Sequence, residues 1–282
     1  MSNNIAVLMT CHNRKAVTLG CLQRLFLLKN NIDVYCVDDA STDSTAGAII
    51  EKFPQVHLIE GDGNLFWCRG MNLAWKTANA HSNYDYYIWL NDDLLLYDKA
   101  FDELFECSKL NGDKAIISGI AQGRNSERAV YGGFDSHHEI ISPTGKMEEI
   151  LNLNGNFVLI PQYVFNIVGF FDDKYHHDIG DVDYGLTARE HGILVVTTRC
   201  FIGSTDEKFM QSDSRIRKNK ANIITRFRKL YSPLGSPPFI HYHFIKKHGR
   251  TTKAIVYVFY LHFINILPDF IYNLLFTRKD GS

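Results

Sequence analysis

The chain lacks the marks of several protein classes. Its six cysteines, in 282 residues, include no C-x-x-C pair, so neither a zinc site nor a disulfide framework is expected, and a reducing compartment is the default. Only seven prolines interrupt it, and no internal repeat or low-complexity tract is present, which excludes collagenous and broadly disordered architectures. No glycine follows the first apolar run: Thr10 to Arg14 contains none. The Gly-rich phosphate loops of dinucleotide-dependent oxidoreductases and of sugar-1-phosphate nucleotidyltransferases are therefore missing. The start, Met1 to Asn4 before a short apolar run, lacks the basic region and long apolar stretch of a secretory signal, so a cytoplasmic location is expected.

With 45% hydrophobic and 22% charged residues, the composition is that of a soluble globular protein long enough for one large α/β domain plus an appendage. The net charge of −1 hides an asymmetry. Residues 1–207 carry 16 basic and 28 acidic side chains, whereas residues 208–253 carry 12 and 1. An acidic body able to hold a metal and a basic segment able to meet an anion are expected on either side of residue 207. Aromatic residues lie near the bases, but no nucleic-acid-binding module is present, and no nucleic-acid partner is expected.

The first third alternates strand-like runs with helical spacing, which predicts an α/β fold with a mostly parallel central sheet flanked by helices. Ile5–Met9, Val34–Val37, Val56–Ile59 and Tyr86–Leu90 read as strands. Ala16, Leu19, Leu22, Leu25 and Phe26 recur at helical spacing, Ser41 to Ser44 supply helix caps, and Met71–Ala80 reads as a helix. Further on, Ala115–Ile120 and Phe157–Ile160 look like strands and Asp181–His191 like a helix, while residues 123–145 are rich in loop formers. Residues 211–250, basic and broken by Pro233, Pro237 and Pro238, read as a connector. The apolar stretch Thr252–Phe276 is interrupted by His262, Asn265, Pro268 and Asp269; it makes a poor spanning helix, for which about 20 unbroken apolar residues are needed. Its aromatic residues, behind Lys246, Lys247, Arg250 and Lys253, suit a segment lying in a membrane interface.

Polar clusters fall where open α/β sheets bind ligands, at the carboxyl ends of strands. Thr10-Cys11-His12-Asn13-Arg14 follows the first strand, Asp38-Asp39-Ala40-Ser41-Thr42-Asp43 the second, and Asn91-Asp92-Asp93 the fourth; Gly180-Asp181-Val182-Asp183 sits at a helix start. Caps and turns explain each cluster singly. Together they stack carboxylates at one sheet edge, which costs electrostatic energy unless a cation or ligand donors offset it.

In this order the clusters resemble the inverting glycosyltransferases of family 2, over roughly residues 5 to 200. The resemblance implies a Rossmann-like GT-A fold, with a nucleotide-binding half over about residues 1–95 and an acceptor-binding half over about 96–207. Thr10, Asn13, Arg14, Asp39, Asn72 and Asp92 then fall to the nucleotide, with Arg14 either pairing a phosphate or capping a helix. Asn91-Asp92-Asp93 resembles the D-x-D motif, giving Mg²⁺ or Mn²⁺ to Asp93 with help from Asn91 or Asp92. Gly155, Asn156 and Asp183 belong to the acceptor side, and Asp181 is the candidate base, with Asp178 in reserve.

Three positions depart from the pattern: Asn91 begins the D-x-D motif, Gly180 stands for the first acid of E-D, and Met71 replaces an arginine before Asn72. A catalytically inactive relative that binds nucleotide or membrane is the alternative these departures support. The basic and apolar tail, residues 208–282, resembles that of bacterial enzymes of surface-polysaccharide synthesis such as rhamnosyltransferases. It implies a nucleotide-sugar donor, a saccharide or lipid-linked acceptor, and a place at the inner face of the plasma membrane.

Overall fold

A computed structural model describes residues 3–206 and 213–276. The chain divides into two compact units, residues 1–207 and 208–282.

In the first unit β1 (Ile5–Cys11), β2 (Asp33–Asp38), β3 (His57–Glu60) and β4 (Tyr86–Leu90) alternate with α1 (Lys15–Leu28), α2 (Thr45–Lys52) and α3 (Phe66–His81). Every residue of β4 is buried, and all but Thr10 in β1, as expected of parallel strands covered on both faces. After β5 (Leu95–Leu96) and α4 (Ala100–Leu110) come β6 (Ile116–Gly123), β7 (Ala129–Phe134), β8 (Asn152–Asn154), β9 (Phe157–Pro161), α5 (Gln162–Val168), α6 (Gly180–Glu190) and β10 (Val195–Thr205). The sheet runs β3-β2-β1-β4-β9-β6-β10-β5. Pairing is parallel from β3 to β4 and between β6 and β10, while β9 runs antiparallel to both its neighbours.

Two elements differ from the sequence expectation. Helix α3 begins at Phe66 rather than Met71, because remote groups receive its first amides: the Asp39 carboxylate those of Leu65 and Phe66, and the His176 carbonyl that of Cys68. Strand β7 forms within the loop-rich stretch. Its Gly132 has φ +136°, and a Cβ there would lie 3.2 Å from Ile120 Cα, so only glycine fits against β6.

The second unit holds α7 (Asp213–Ile216), α8 (Ile223–Leu230), α9 (Pro238–His248), α10 (Thr251–Ile266) and α11 (Asp269–Phe276). The segment expected as a connector is thus largely helical. Pro237 and Pro238 do not break a helix but start one, at positions that need no amide hydrogen. Arg217 and Arg226 are buried, and both bond Asp269 Oδ1 at 2.8 Å and the Leu267 carbonyl beyond α10 at 2.9 and 2.7 Å. No helix among the described residues is long and apolar enough to cross a membrane.

Candidate active site

The loops after β1 and β2 are stitched together by their own polar side chains. Asn13, at φ +51°, donates its amide to Ser41 Oγ (2.9 Å) and accepts from the Thr42 amide (2.7 Å). Asp43 accepts from the amides of Lys15 (3.0 Å) and Thr45 (3.1 Å), so one carboxylate serves the starts of α1 and α2. Asp38 accepts from the amide and hydroxyl of Ser41. Asp39, also buried, accepts from the amides of Gly63 (2.8 Å), Leu65 (3.0 Å) and Phe66 (2.9 Å) and so fixes the loop before α3. Beside this loop, α3 passes close to Thr10: a Cβ on Gly70 would come within 2.5 Å of Thr10 Oγ1.

After β4, Arg14 bridges two successive carboxylates, at 2.8 Å from Asp92 Oδ1 and 2.9 Å from Asp93 Oδ2. Asp92 is buried and also accepts from Thr18 Oγ1 at 2.9 Å. Burial pushes its carboxyl up to about 6, against the opposing pull of Arg14. Thr18 lies on the buried face of α1 with Cys21, Leu22 and Leu25. Sequence reasoning missed it, although its i+4 spacing from Arg14 was a usable signal. Asn91 Oδ1 accepts from Trp67 Nε1 at 2.8 Å, a partnership with no local signal in the sequence.

Asp93 Oδ1 is buried without a hydrogen-bond partner. An orphaned carboxylate oxygen beside a second acid suits a hard, oxygen-seeking cation. Among the described residues no three His, Cys, Asp or Glu side chains gather at ligand spacing. The fit to a divalent ion therefore rests on the unpartnered Asp93 oxygen beside Asp92.

The acids at the start of α6 are held differently. Asp181, at the start of α6, accepts from the amides of Gly155 (3.0 Å) and Val182 (2.9 Å). Burial raises its carboxyl to about 6, against the pull of those two amides. The next residue in the chain, Asn156, offers its carbonyl to the Asn91 amide at 2.9 Å. Two adjacent residues thus join Asp181 to the Asn91–Asp93 turn. The Asn156 side chain is fully buried, and neither polar atom of its amide has a hydrogen-bond partner.

Ile179, just before α6, holds φ +73°, a costly conformation for a β-branched residue of the kind that gathers at functional sites. A Cβ on Gly180 would overlap Cys68 Sγ, so the thiol fills the space a larger residue would need. Asp183 is buried and accepts from Tyr175 OH at 2.8 Å, whereas Asp178 is partly exposed and lies 3.7 Å from His177. Asn72 is buried, and its amide donates to the Phe171 carbonyl (3.2 Å) and Asp173 Oδ1 (2.5 Å), tying α3 to the loop that leads toward Asp181.

An α/β sheet that gathers carboxylates and loop amides at the carboxyl ends of its strands places a ligand site there. The sequence matches Glycosyl transferase family 2 over residues 6–171, and the chain belongs to that family. The fold is that of GT-A glycosyltransferases. It is similar to the mannosyltransferase PcManGT of Pyrobaculum calidifontis in complex with GDP-Man and Mn²⁺, at TM-score 0.55 and 15% identity, covering 92% of this chain and 76% of that one. It is also similar to S. aureus TarS, at TM-score 0.57 and 11% identity, over 99% of this chain and 45% of that one. A TarS 1–349 structure in complex with UDP-GlcNAc gives TM-score 0.56 and 11% identity, over 92% and 72% of the two chains. No curated protein matches the sequence.

Proposed function

We propose that this chain is an inverting, divalent-metal-dependent glycosyltransferase. It moves a sugar, a deoxyhexose such as rhamnose included, from a UDP- or dTDP-sugar to a hydroxyl of a saccharide or lipid-linked saccharide, in surface-polysaccharide synthesis. The observation that carries this reading is the Gly155–Asn156 link, which places a desolvated carboxylate and the acidic turn after β4 on consecutive residues. The donors bound by PcManGT and TarS support the substrate class.

Asp181 takes the proton of the attacking hydroxyl; a carboxyl raised to about 6 is ionised at neutral pH yet basic enough to accept it. Attack on the face opposite the departing diphosphate inverts the anomeric centre. Asp93 would hold the Mg²⁺ or Mn²⁺, with Asn91 or Asp92 assisting, and the ion would neutralise charge on the leaving phosphates. Thr10, Asn13 and Arg14 border the nucleotide, while Asp39 and Asn72 order the loops around it.

The second unit brings the enzyme to the inner face of the plasma membrane. Its α10 exposes Val256, Phe259, Phe263 and Ile266, and α11 exposes Phe270 and Leu274, more apolar surface than a helix in water normally shows. Residues 214–268 contain no Asp or Glu, which suits an anionic lipid surface. Sedimentation with vesicles of phosphatidylcholine, with and without phosphatidylglycerol, tests this point apart from catalysis; equal recovery from both would remove the electrostatic part.

The reaction is tested by nucleoside diphosphate release across UDP-, dTDP- and GDP-sugars with Mg²⁺, Mn²⁺ or chelator. Metal-dependent release from one donor is expected, and Asp93→Ala lowers metal-dependent donor affinity by about a hundredfold or more, since even the partners behind a metal ligand are worth about 10- to 100-fold. Nucleotide binding without release, with every acceptor offered, would favour the inactive relative.

A further inference from the structure

Arg14 holds an unusual place in the acidic turn after β4. Its planar fork spans Asp92 and Asp93, a bidentate geometry specific to arginine, while 42% of its side chain remains exposed. Asp92 is buried and needs a countercharge, and beyond Arg14 its side chain has the Thr18 hydroxyl. One oxygen of Asp93 is taken by the guanidinium, and the other is buried and unpartnered.

We propose that Arg14 is the built-in counter-cation of Asp92 and Asp93, and that it competes with the divalent ion for Asp93. Two carboxylates carry two negative charges, and a guanidinium plus a divalent ion bring three positive ones. Both cations are accommodated together only when a diphosphate adds its own negative charge. Without donor, the ion pair keeps the turn closed and the metal weakly bound. With donor, the ion takes Asp93 and the freed guanidinium becomes a bidentate partner for a phosphate. The coupling is reciprocal: Arg14 weakens the ion by the factor by which the ion weakens the Arg14–Asp93 pair. The competition stands without the proposed reaction; only the transfer of Arg14 to a diphosphate rests on it.

The test is titration of the full chain with Mn²⁺ alone, the free ion read by electron paramagnetic resonance and no nucleotide present. Arg14→Gln is expected to bind Mn²⁺ about two- to fivefold more tightly than the wild type, the scale of removing a partly exposed charge pair. Adding Asp93→Asn to that variant reverses the gain. Arg14→Lys keeps one charge but cannot span both carboxylates, so it gives a smaller tightening and serves if Arg14→Gln does not fold. With UDP or GDP added, wild-type affinity for Mn²⁺ rises by a larger factor than that of Arg14→Gln. Equal or weaker Mn²⁺ binding by either folded variant overturns the proposal, as does an absence of Mn²⁺ binding in Arg14→Gln. Tightening without any donor turnover would leave it standing and remove the proposed reaction instead.

Discussion

Asp92 and Asp181 reach the same acidity, near 6, by the same cause, burial, but they are stabilised by unlike groups. Asp92 relies on the half-exposed side-chain cation of Arg14 and on the buried hydroxyl of Thr18. Asp181 relies on two backbone amides fixed by the fold. A carboxylate held by a mobile cation loses a partner when another cation draws that side chain away, whereas one held by backbone amides keeps its donors. The first arrangement suits a binding turn that changes partners. The second suits a base that must present the same oxygens in every turnover.

The sharpest break in this comparison is Asp181→Asn. It is expected to lower kcat by about 10²- to 10⁴-fold, the range for loss of a general base, with donor and Mn²⁺ affinity unchanged in calorimetry; full turnover would move the role to Asp178. Next in size is the pH profile. Below about pH 6 kcat should fall about tenfold per unit as Asp181 takes up a proton. A limb near pH 4 would show that burial does not set its acidity.

Smaller still is Gly180→Ala, whose Cβ would meet Cys68 Sγ. A cost of about 1–3 kcal/mol in urea unfolding is expected from overpacking, and Cys68→Ala in the same chain should recover most of it. An equal cost in both backgrounds would place the strain elsewhere.

The smallest effect concerns stability. Asp181 has its folded pKa raised, so between about pH 4 and 6 the folded chain holds a proton that the unfolded chain has released, and stability falls as pH rises through that window. Asparagine carries no such cost. The stability of Asp181→Asn relative to wild type should therefore be higher at pH 7 than at pH 4.5, by on the order of 1 kcal/mol, and a flat difference would contradict the raised acidity.

The stretch from β1 to β4 was the more legible in the sequence. Its parallel strands are continuous apolar runs, and its polar clusters begin where those runs end, so Thr10 to Arg14, Asp38 to Asp43 and Asn91 to Asp93 could be placed from pattern alone. What could not be read were partnerships between distant residues. The Asp39 carboxylate, 27 residues away, starts α3 ahead of its apolar periodicity. Asn72 meets Asp173 across 101 residues, and Trp67 meets Asn91 across 24. The basic stretch hid α8 and α9 because prolines and charges read as breakers, while two of its arginines are buried against Asp269.

The Gly155–Asn156 dipeptide acts as a spacer gauge. One peptide unit sets how far the Asp181 carboxylate lies from the Asn91–Asp93 turn, and it leads directly into β9, which is buried along its whole length. Residues 136–146 on one side are mostly exposed, whereas residues 169–179 on the other bury Phe171 and Tyr175 and are tied to α3 through Asn72. Changes of length or sequence are thus expected to be tolerated at residues 136–146, where they leave the Gly155–Asn156 spacing as it is.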